Sequence, residues 1–318
     1  FASVSLMKCV VVGAGLSGLI AAQTLQQAGH EVLVLDKGRS VGGRLATRRI
    51  GNATFDHGAQ FFTVRNNAFA EHVEVWLREG VVREWCKGFS PAGDGFPRYV
   101  GDKGMTSIAK YLATGLDVRC SSLVFSLGKK GEQWEVQLDD GTSIMSDAVV
   151  MTCPIAQSFG LAYTTGIELP EELRVVDYHR TLGLLAVLDG PSAVPAPGGM
   201  QNPDDVFSFI GDNFAKGISA QHALTFHAGP AWSAAHWDDS LEDGLAELTR
   251  HAQPYLGNAK IVESNYKKWR FATPITQFPE RYWLHESGTF VLAGDAFAEP
   301  RVEGAVLSGL AAAAALRN

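Results

Sequence analysis

Lys8-Cys9-Val10-Val11-Val12-Gly13-Ala14-Gly15-Leu16-Ser17-Gly18 runs from a β-branched strand through a glycine turn into a helix whose apolar positions are Leu16, Leu19, Ile20 and Leu25. Gly29 ends that helix, and a second strand, Glu31 to Leu35, leads to Asp36 and Lys37. Such a strand–helix–strand unit is parallel and right-handed by default. The three glycines differ in purpose. Gly13 makes the tight turn, Gly15 lets the backbone approach a pyrophosphate, and Gly18 lets helix and strand pack closely. The helix N-terminus, with Ala14, Leu16 and Ser17 around it, then faces the anion. Asp36 is placed to accept hydrogen bonds from ribose hydroxyls, and a carboxylate there disfavours a 2′-phosphate, so NADP is not the ligand of this turn.

A second glycine pair, Gly42-Gly43-Arg44, follows the second strand. A nicotinamide dehydrogenase has no need of it, whereas FAD carries a longer arm that must be gripped from another side, and Arg44 offers a cationic fork. The alternative is a solvated basic turn, since Arg39, Arg48 and Arg49 lie near. At the other end of the chain, Ala293-Gly294-Asp295 ends a strand at Thr289 to Ala293, and Arg301-Val302-Glu303-Gly304-Ala305 opens a final helix over about Val302 to Leu316. Asp295 can accept from a ribityl hydroxyl, and free N–H groups near Val302 can meet the N1–C2=O edge of a flavin, where the reduced ring is negative. The glycine turns, the acids and the last helix recur in the order FAD requires.

The remaining chain reads less sharply. Gln133 to Leu138 and Ser143 to Met151 read as strands joined through Asp139-Asp140-Gly141, a hairpin signal. Between Phe159 and Val262, strands at Leu182 to Leu188, Val206 to Ile210 and Ala223 to His227 accompany one clear helix. It opens at Ser240 with Asp243 three positions on, and carries Leu241, Leu245 and Leu248 on one face. Pro191 to Gly199 reads as a flexible loop.

The 318 residues, 46% of them hydrophobic, suit two interleaved domains. A net charge of −7 without a basic patch argues against nucleic acid as a partner. No apolar run has the length of a membrane span. Cys9, Cys86, Cys120 and Cys153 are scattered, so neither disulfides nor a zinc site are expected, and a cytoplasmic, reducing setting fits. His222 and His227 fall on opposite faces of a strand and cannot share a metal; no metal is expected. Met7 looks like a native start, so Phe1 to Leu6 read as an expression remnant or the trace of a processed leader.

Three segments, Gly13 to Gly18, Gly42 to Arg44 and Asp295 to Ala305, together resemble the flavin amine oxidase superfamily. With Asp36-Lys37, Asp56-His57-Gly58-Ala59-Gln60-Phe61-Phe62-Thr63 and Gly101 to Met105 added, the chain looks like the bacterial renalases, strongly at both ends and diffusely in the middle. The resemblance implies an α/β fold: a Rossmann-type FAD-binding domain of the two-dinucleotide-binding, p-hydroxybenzoate-hydroxylase-like kind, with an inserted α+β substrate domain. Residues 7–66, 98–157 and 266–318 would form the first, and 67–97 and 158–265 the second. It implies non-covalent FAD and oxidation of 2- and 6-dihydro isomers of NAD(P) to NAD(P)⁺ by hydride transfer to flavin N5, with dioxygen or a quinone reoxidising the flavin. It also implies that Gly58, Ala59, Gln60 and Phe61 lie by the flavin ring or ribityl chain, and that Val124 and Pro154 neighbour the adenosine.

Hydride loss from a dihydropyridine leaves an aromatic cation and releases no proton, so no dedicated base is required. Phe62 and Trp269 are candidates for flat walls, with ordinary core packing as the alternative for both. His227 is either a donor to the substrate or a satisfied core histidine. Amine oxidases of the superfamily hold a water near N5 with a lysine; Lys267 and Lys268 alternate on a strand, so one of them could reach the flavin. The competing readings are therefore an oxidase of a small amine and a flavin-binding protein without turnover. An apolar desaturase tunnel would want a longer chain.

Overall fold

In chain order the elements are β1 (Lys8–Val12), α1 (Leu16–Gln27), β2 (Glu31–Leu35), β3 (Thr47–Ile50), β4 (Ala53–Asp56), α2 (Asn67–Arg78), β5 (Val82–Cys86), β6 (Arg98–Gly101) and α3 (Thr106–Ala113). There follow β7 (Asp117–Arg119), β8 (Val124–Lys130), β9 (Gln133–Leu138), β10 (Ser143–Ser146), β11 (Ala148–Met151), α4 (Ile155–Tyr163), α5 (Glu171–Arg174) and β12 (Tyr178–Leu188). The chain continues through β13 (Gly199–Gln201), β14 (Phe207–Asp212), β15 (Ala223–Ala228), α6 (Pro230–Ala235) and α7 (Leu241–Leu256). It closes with β16 (Ile261–Pro274), β17 (Trp283–Leu284), β18 (Phe290–Leu292) and α8 (Arg301–Arg317). This computed structural model describes residues 6–90 and 92–317; the expectation about the leading residues falls mostly on 1–5, outside the described residues.

The Rossmann layer is a six-stranded sheet in the order β17-β18-β11-β1-β2-β7, parallel except for β17. Its central strand is buried on both faces, with Val10 2% and Val11 0% exposed, which is why β1 reads as an unbroken apolar run instead of alternating. Helix α1 is buried from Leu16 through Ala22 and again at Leu25, with Gln26 and Gln27 exposed at its end; Leu19, Ala21, Ala22 and Leu25 are fully buried, each leucine contributing about 1.5–3 kcal/mol. Its near neighbour is α8, where a Cβ on Gly309 would lie 2.4 Å from the Ser17 carbonyl oxygen, so only glycine allows the two helices to approach this closely. Helix α2 joins the same apolar cluster through Phe69, Val73 and Trp76. Asn66 caps it, its side chain accepting from Ala68 N. Helices α2 and α3 were not foreseen.

β8, β9 and β10 form an antiparallel meander, and the Asp139-Asp140-Gly141 turn joins β9 to β10 as expected. The single strand expected over Ser143 to Met151 is two. Asp147 interrupts it, its carboxylate accepting from Lys8 N at 2.7 Å, and the chain passes there from the meander into the Rossmann sheet as β11.

A five-stranded antiparallel sheet, β13-β14-β15-β12-β16, forms the second body. One of its faces is covered by α7, which buries Leu248, Ala252 and Leu256. Ser240 caps α7 by accepting from Asp243 N, but Leu241 is 67% exposed and does not share the apolar face expected of it; the helix's buried residues are Gly244, Leu248, Ala252 and Leu256. The stretch expected to hold one helix also contains α5, α6 and most of α4, short helices with few buried residues each. The loop over Pro191 to Gly199, expected to be flexible, is pinned: Trp85 Nε1 donates to Pro197 O at 3.0 Å and Ser192 Oγ to Asp212 Oδ2 at 2.6 Å. Among the described residues no helix is long and apolar enough to cross a membrane.

Candidate active site

The carboxyl ends of β1 and β2, the start of α8 and the face of the antiparallel sheet opposite α7, beyond the part that β4 covers, enclose a cleft of about 2310 Å³. It is the crevice that open α/β sheets offer to ligands. Every candidate site residue from the sequence lies on its wall except Ala14 and Gly18, which sit behind the glycine turn. Ala14 N donates to Asp36 Oδ2 and Gly38 N to Asp36 Oδ1, both at 2.6 Å, so Asp36 braces the turn as well as facing the cleft. A Cβ on Gly18 would lie 1.9 Å from Gly13 O, whereas one on Gly15 would meet nothing within 4 Å. Gly18 is therefore required by packing and Gly15 by what enters the cleft. A Cβ on Gly43 would lie 3.5 Å from Gly15 Cα, so two glycine backbones face each other across the entrance.

Arg44 and Asp295, read separately as a pyrophosphate grip and a ribityl acceptor, meet each other across the cleft wall. Arg44 Nη1 donates to Asp295 Oδ2 and Nη2 to Asp295 Oδ1, each at 2.7 Å, which engages both ends of the fork. The reason is electrostatic: half-buried, each is the other's nearest countercharge, and a two-pronged pair offsets their desolvation. Burial disfavours the Arg44 charge, but Asp295 outweighs it and raises the guanidinium above its ordinary value. The Glu303 carboxylate is likewise committed, accepting from Arg65 N at 2.7 Å and Asn66 N at 3.0 Å, so it anchors the loop ahead of α2. Val302, Arg301 and Ala305 line the cleft, and Arg301 holds a φ of 78° that a non-glycine residue rarely adopts.

On the opposite wall the decisive residue is His57, which no sequence pattern marks for this role. It stacks on Trp269 with ring centroids 5.4 Å apart and planes 25° from parallel. Its carbonyl accepts twice, from Trp269 Nε1 at 2.8 Å and from His227 Nε2 at 3.0 Å. Since a carbonyl only accepts, His227 carries its proton on Nε2, and the satisfied-histidine alternative describes that nitrogen. Burial, then Lys267, His227 and Arg48, push the His57 imidazole down to about 3. Burial leads for His227 as well, which falls to about 4. Lys267 lines the cleft; Lys268 points away, donating to Trp237 O with its ammonium 4.8 Å from the Trp237 ring. Phe62 shows an edge to the cleft but is 4% exposed, stacked on Tyr99 and edge-on to Phe69 and Trp76, so core packing dominates its environment.

Beneath this wall lies an ion pair with no sequence signal. Lys216 Nζ donates to Asp56 Oδ2 at 2.8 Å, with both side chains 0% exposed. Asp56 Oδ1 accepts from Thr47 Oγ1 and Met105 N, both at 2.7 Å, and its carbonyl accepts from Gln60 Nε2 and Thr225 Oγ1. These bonds fix the segment His57 to Gln60 against both bodies. Ser17 Oγ, His57 Nδ1 and Gln60 Oε1 are buried in cleft-lining residues without a partner, as groups awaiting a polar ligand would be. A glycine-walled entrance, a helix N-terminus and such polar atoms together fit a flavin dinucleotide. Among the described residues no group of three or more His, Cys, Asp or Glu is placed to hold a metal ion.

Residues 66–317 match the family model for flavin containing amine oxidoreductase, and 11–76 match the model for an NAD(P)-binding Rossmann-like domain. Over 61 residues the chain is 46% identical to an uncharacterized protein in the nifH2 3′ region of Methanothermococcus thermolithotrophicus, a match covering 19% of this chain and 59% of that relative. It spans less of other curated relatives, 21% of one and 10% of another. Among solved structures, "Putative protoporphyrinogen oxidase" from Exiguobacterium sp. 255-15 superposes with a TM-score of 0.78 at 13% identity, over 99% of each chain. A putrescine oxidase with three substitutions gives 0.71 at 16% identity, over 97% of this chain and 98% of that one. At such identities the likeness is one of fold.

Proposed function

Because the chain belongs to the family of flavin-containing amine oxidoreductases, we propose that it is a renalase-like, FAD-dependent oxidase of 2- and 6-dihydro isomers of NAD(P). FAD, when bound, supplies a two-electron acceptor for hydride and passes the pair to dioxygen or a quinone. In this reading Gly13, Gly15, Gly42 and Gly43 admit the pyrophosphate, Asp36 takes the adenosine ribose, Val124 and Pro154 flank the adenosine, and the α8 N-terminus meets the flavin ring.

One observation carries the choice of donor. The substrate wall presents a flat, pinned His57–Trp269 stack and two histidines held neutral far below physiological pH. Groups with pKa values near 3 and 4 are poor proton acceptors at neutral pH, while a flat wall orients a planar ring. This suits a donor that loses hydride and keeps its protons. An amine must lose a proton as well as a hydride, and Lys267, whose pKa burial and Arg48 both lower, is the cleft lysine that favours this second reading. Product analysis separates them: the dihydro isomers should yield NAD(P)⁺ with one equivalent of hydrogen peroxide or reduced quinone. Aldehyde and ammonia from a small amine, with no NAD(P)⁺ from the isomers, would select the amine reading. The free cysteines fit action in a reducing compartment.

A further inference from the structure

Among the described residues several cations that line the cleft form no salt bridge, Arg270 and Arg301 with them, and two of these, Lys267 and Arg48, bear directly on His57. Lys267 lies on β16 two residues from Trp269, and Arg48 on β3; both line the cleft beside His57. Among the described residues neither takes part in a salt bridge, unlike Arg44 with Asp295, Arg98 with Asp94 and Lys216 with Asp56. The carboxylates that do line the cleft are engaged elsewhere: Asp36 braces the glycine turn, Asp295 holds Arg44, Glu299 faces Arg281, and Glu303 holds the loop at Arg65 and Asn66. The wall formed by the antiparallel sheet contributes Thr181, Gln201 and Ser208 to the cleft and no acid. Two like charges brought together without a countercharge repel, and Arg48 and burial both work against the charge on Lys267. An anion supplied from outside removes that cost.

We propose that Arg48 and Lys267 form an anion seat for a phosphoryl group of the hydride donor, next to the His57–Trp269 stack and separate from the FAD cradle. This rests on the reading of the donor as a dihydronicotinamide nucleotide. It assigns recognition of the reacting ring to the stack and recognition of the nucleotide's charge to the two cations. The seat would favour a nucleotide over its neutral-tailed riboside and disfavour a protonated amine.

The test titrates the FAD-loaded protein with nicotinamide mononucleotide and with nicotinamide riboside, following the flavin absorbance band. The mononucleotide should bind at least about ten-fold more tightly than the riboside. Lys267→Met and Arg48→Gln should each weaken mononucleotide binding about ten-fold and leave riboside binding unchanged, and Lys267→Arg should restore most of the loss. Equal binding of the two probes by the parent protein, or mononucleotide binding that survives both substitutions, overturns the seat. If that binding pattern appears while no dihydro isomer bleaches the flavin, the seat stands and the donor reading falls. If the isomers bleach the flavin without the pattern, the donor reading stands and the seat falls.

Discussion

Arg44 and Asp295, 251 residues apart in sequence, form a two-pronged ion pair with both N–O distances at 2.7 Å. It ties the Gly42-Gly43 turn to the start of the final segment, and with the Glu303 bonds and the α1–α8 packing it joins the two ends of the chain that make the cofactor cleft.

Removing either partner leaves a half-buried charge alone. Asp295→Ala and Arg44→Ala should each lower stability by about 2–3 kcal/mol and speed loss of FAD, while the double variant should cost clearly less than the sum. Thermal melts and cofactor retention of the three variants measure the coupling. Strict additivity would mean that the pair does not act as a unit.

The buried pair Lys216–Asp56 should be the more costly one to break. Lys216→Met strands a carboxylate with 0% exposure, and a loss of about 3–5 kcal/mol is expected in denaturant unfolding. A loss under about 1 kcal/mol would show that the Asp56 bonds from Thr47 and Met105 suffice without it.

Gly15 and Gly18 separate folding from binding. Gly18→Ala places a Cβ 1.9 Å from Gly13 O and should destabilise the apoprotein itself. Gly15→Ala meets nothing within 4 Å, so the apoprotein should melt normally and FAD affinity should fall, about ten-fold or more. Equal melting losses in the two variants would contradict this division.

The two histidines predict an acid-side slope. Unfolded, each titrates near 6.5; folded, His57 sits at about 3 and His227 at about 4, so the unfolded chain binds more protons between those limits. Their contribution is complete above pH ~6.5 and is lost as pH falls through the folded values, on the order of 3–5 kcal/mol for each. His227→Gln should reduce the fall in Tm between pH ~7 and ~4.5. An unchanged slope would place the titration elsewhere.

The Rossmann unit is legible in the sequence because its information is local: strand, glycine turn, helix and acid stand within Lys8 to Asp36, and the structure places all of them as read. Even there the partners of the side chains are not legible. Arg44 and Asp295 both stand in recognisable motifs, yet nothing in either motif says that they bond to each other. The Lys216–Asp56 pair leaves no trace, because a lone lysine in a loop carries no pattern and its countercharge lies 160 residues away. His57 sits between Asp56 and Gly58 in a recognisable stretch, but its importance comes from Trp269 folding onto it, which only the antiparallel sheet's register with β12 fixes. The split at Asp147 is hidden for a related reason: the short β10 and the buried run of β11 adjoin with only one residue between them.

The most direct test of the proposed chemistry is anaerobic mixing of the FAD-loaded protein with 2- and 6-dihydroNAD(P) isomers and, separately, with small amines, while the flavin absorbance is followed. Rapid bleaching by at least one dihydro isomer is expected, at a rate nearly flat from pH ~6 to ~8 since neither cleft histidine titrates there, with no bleaching by amines. Bleaching by amines alone would contradict it.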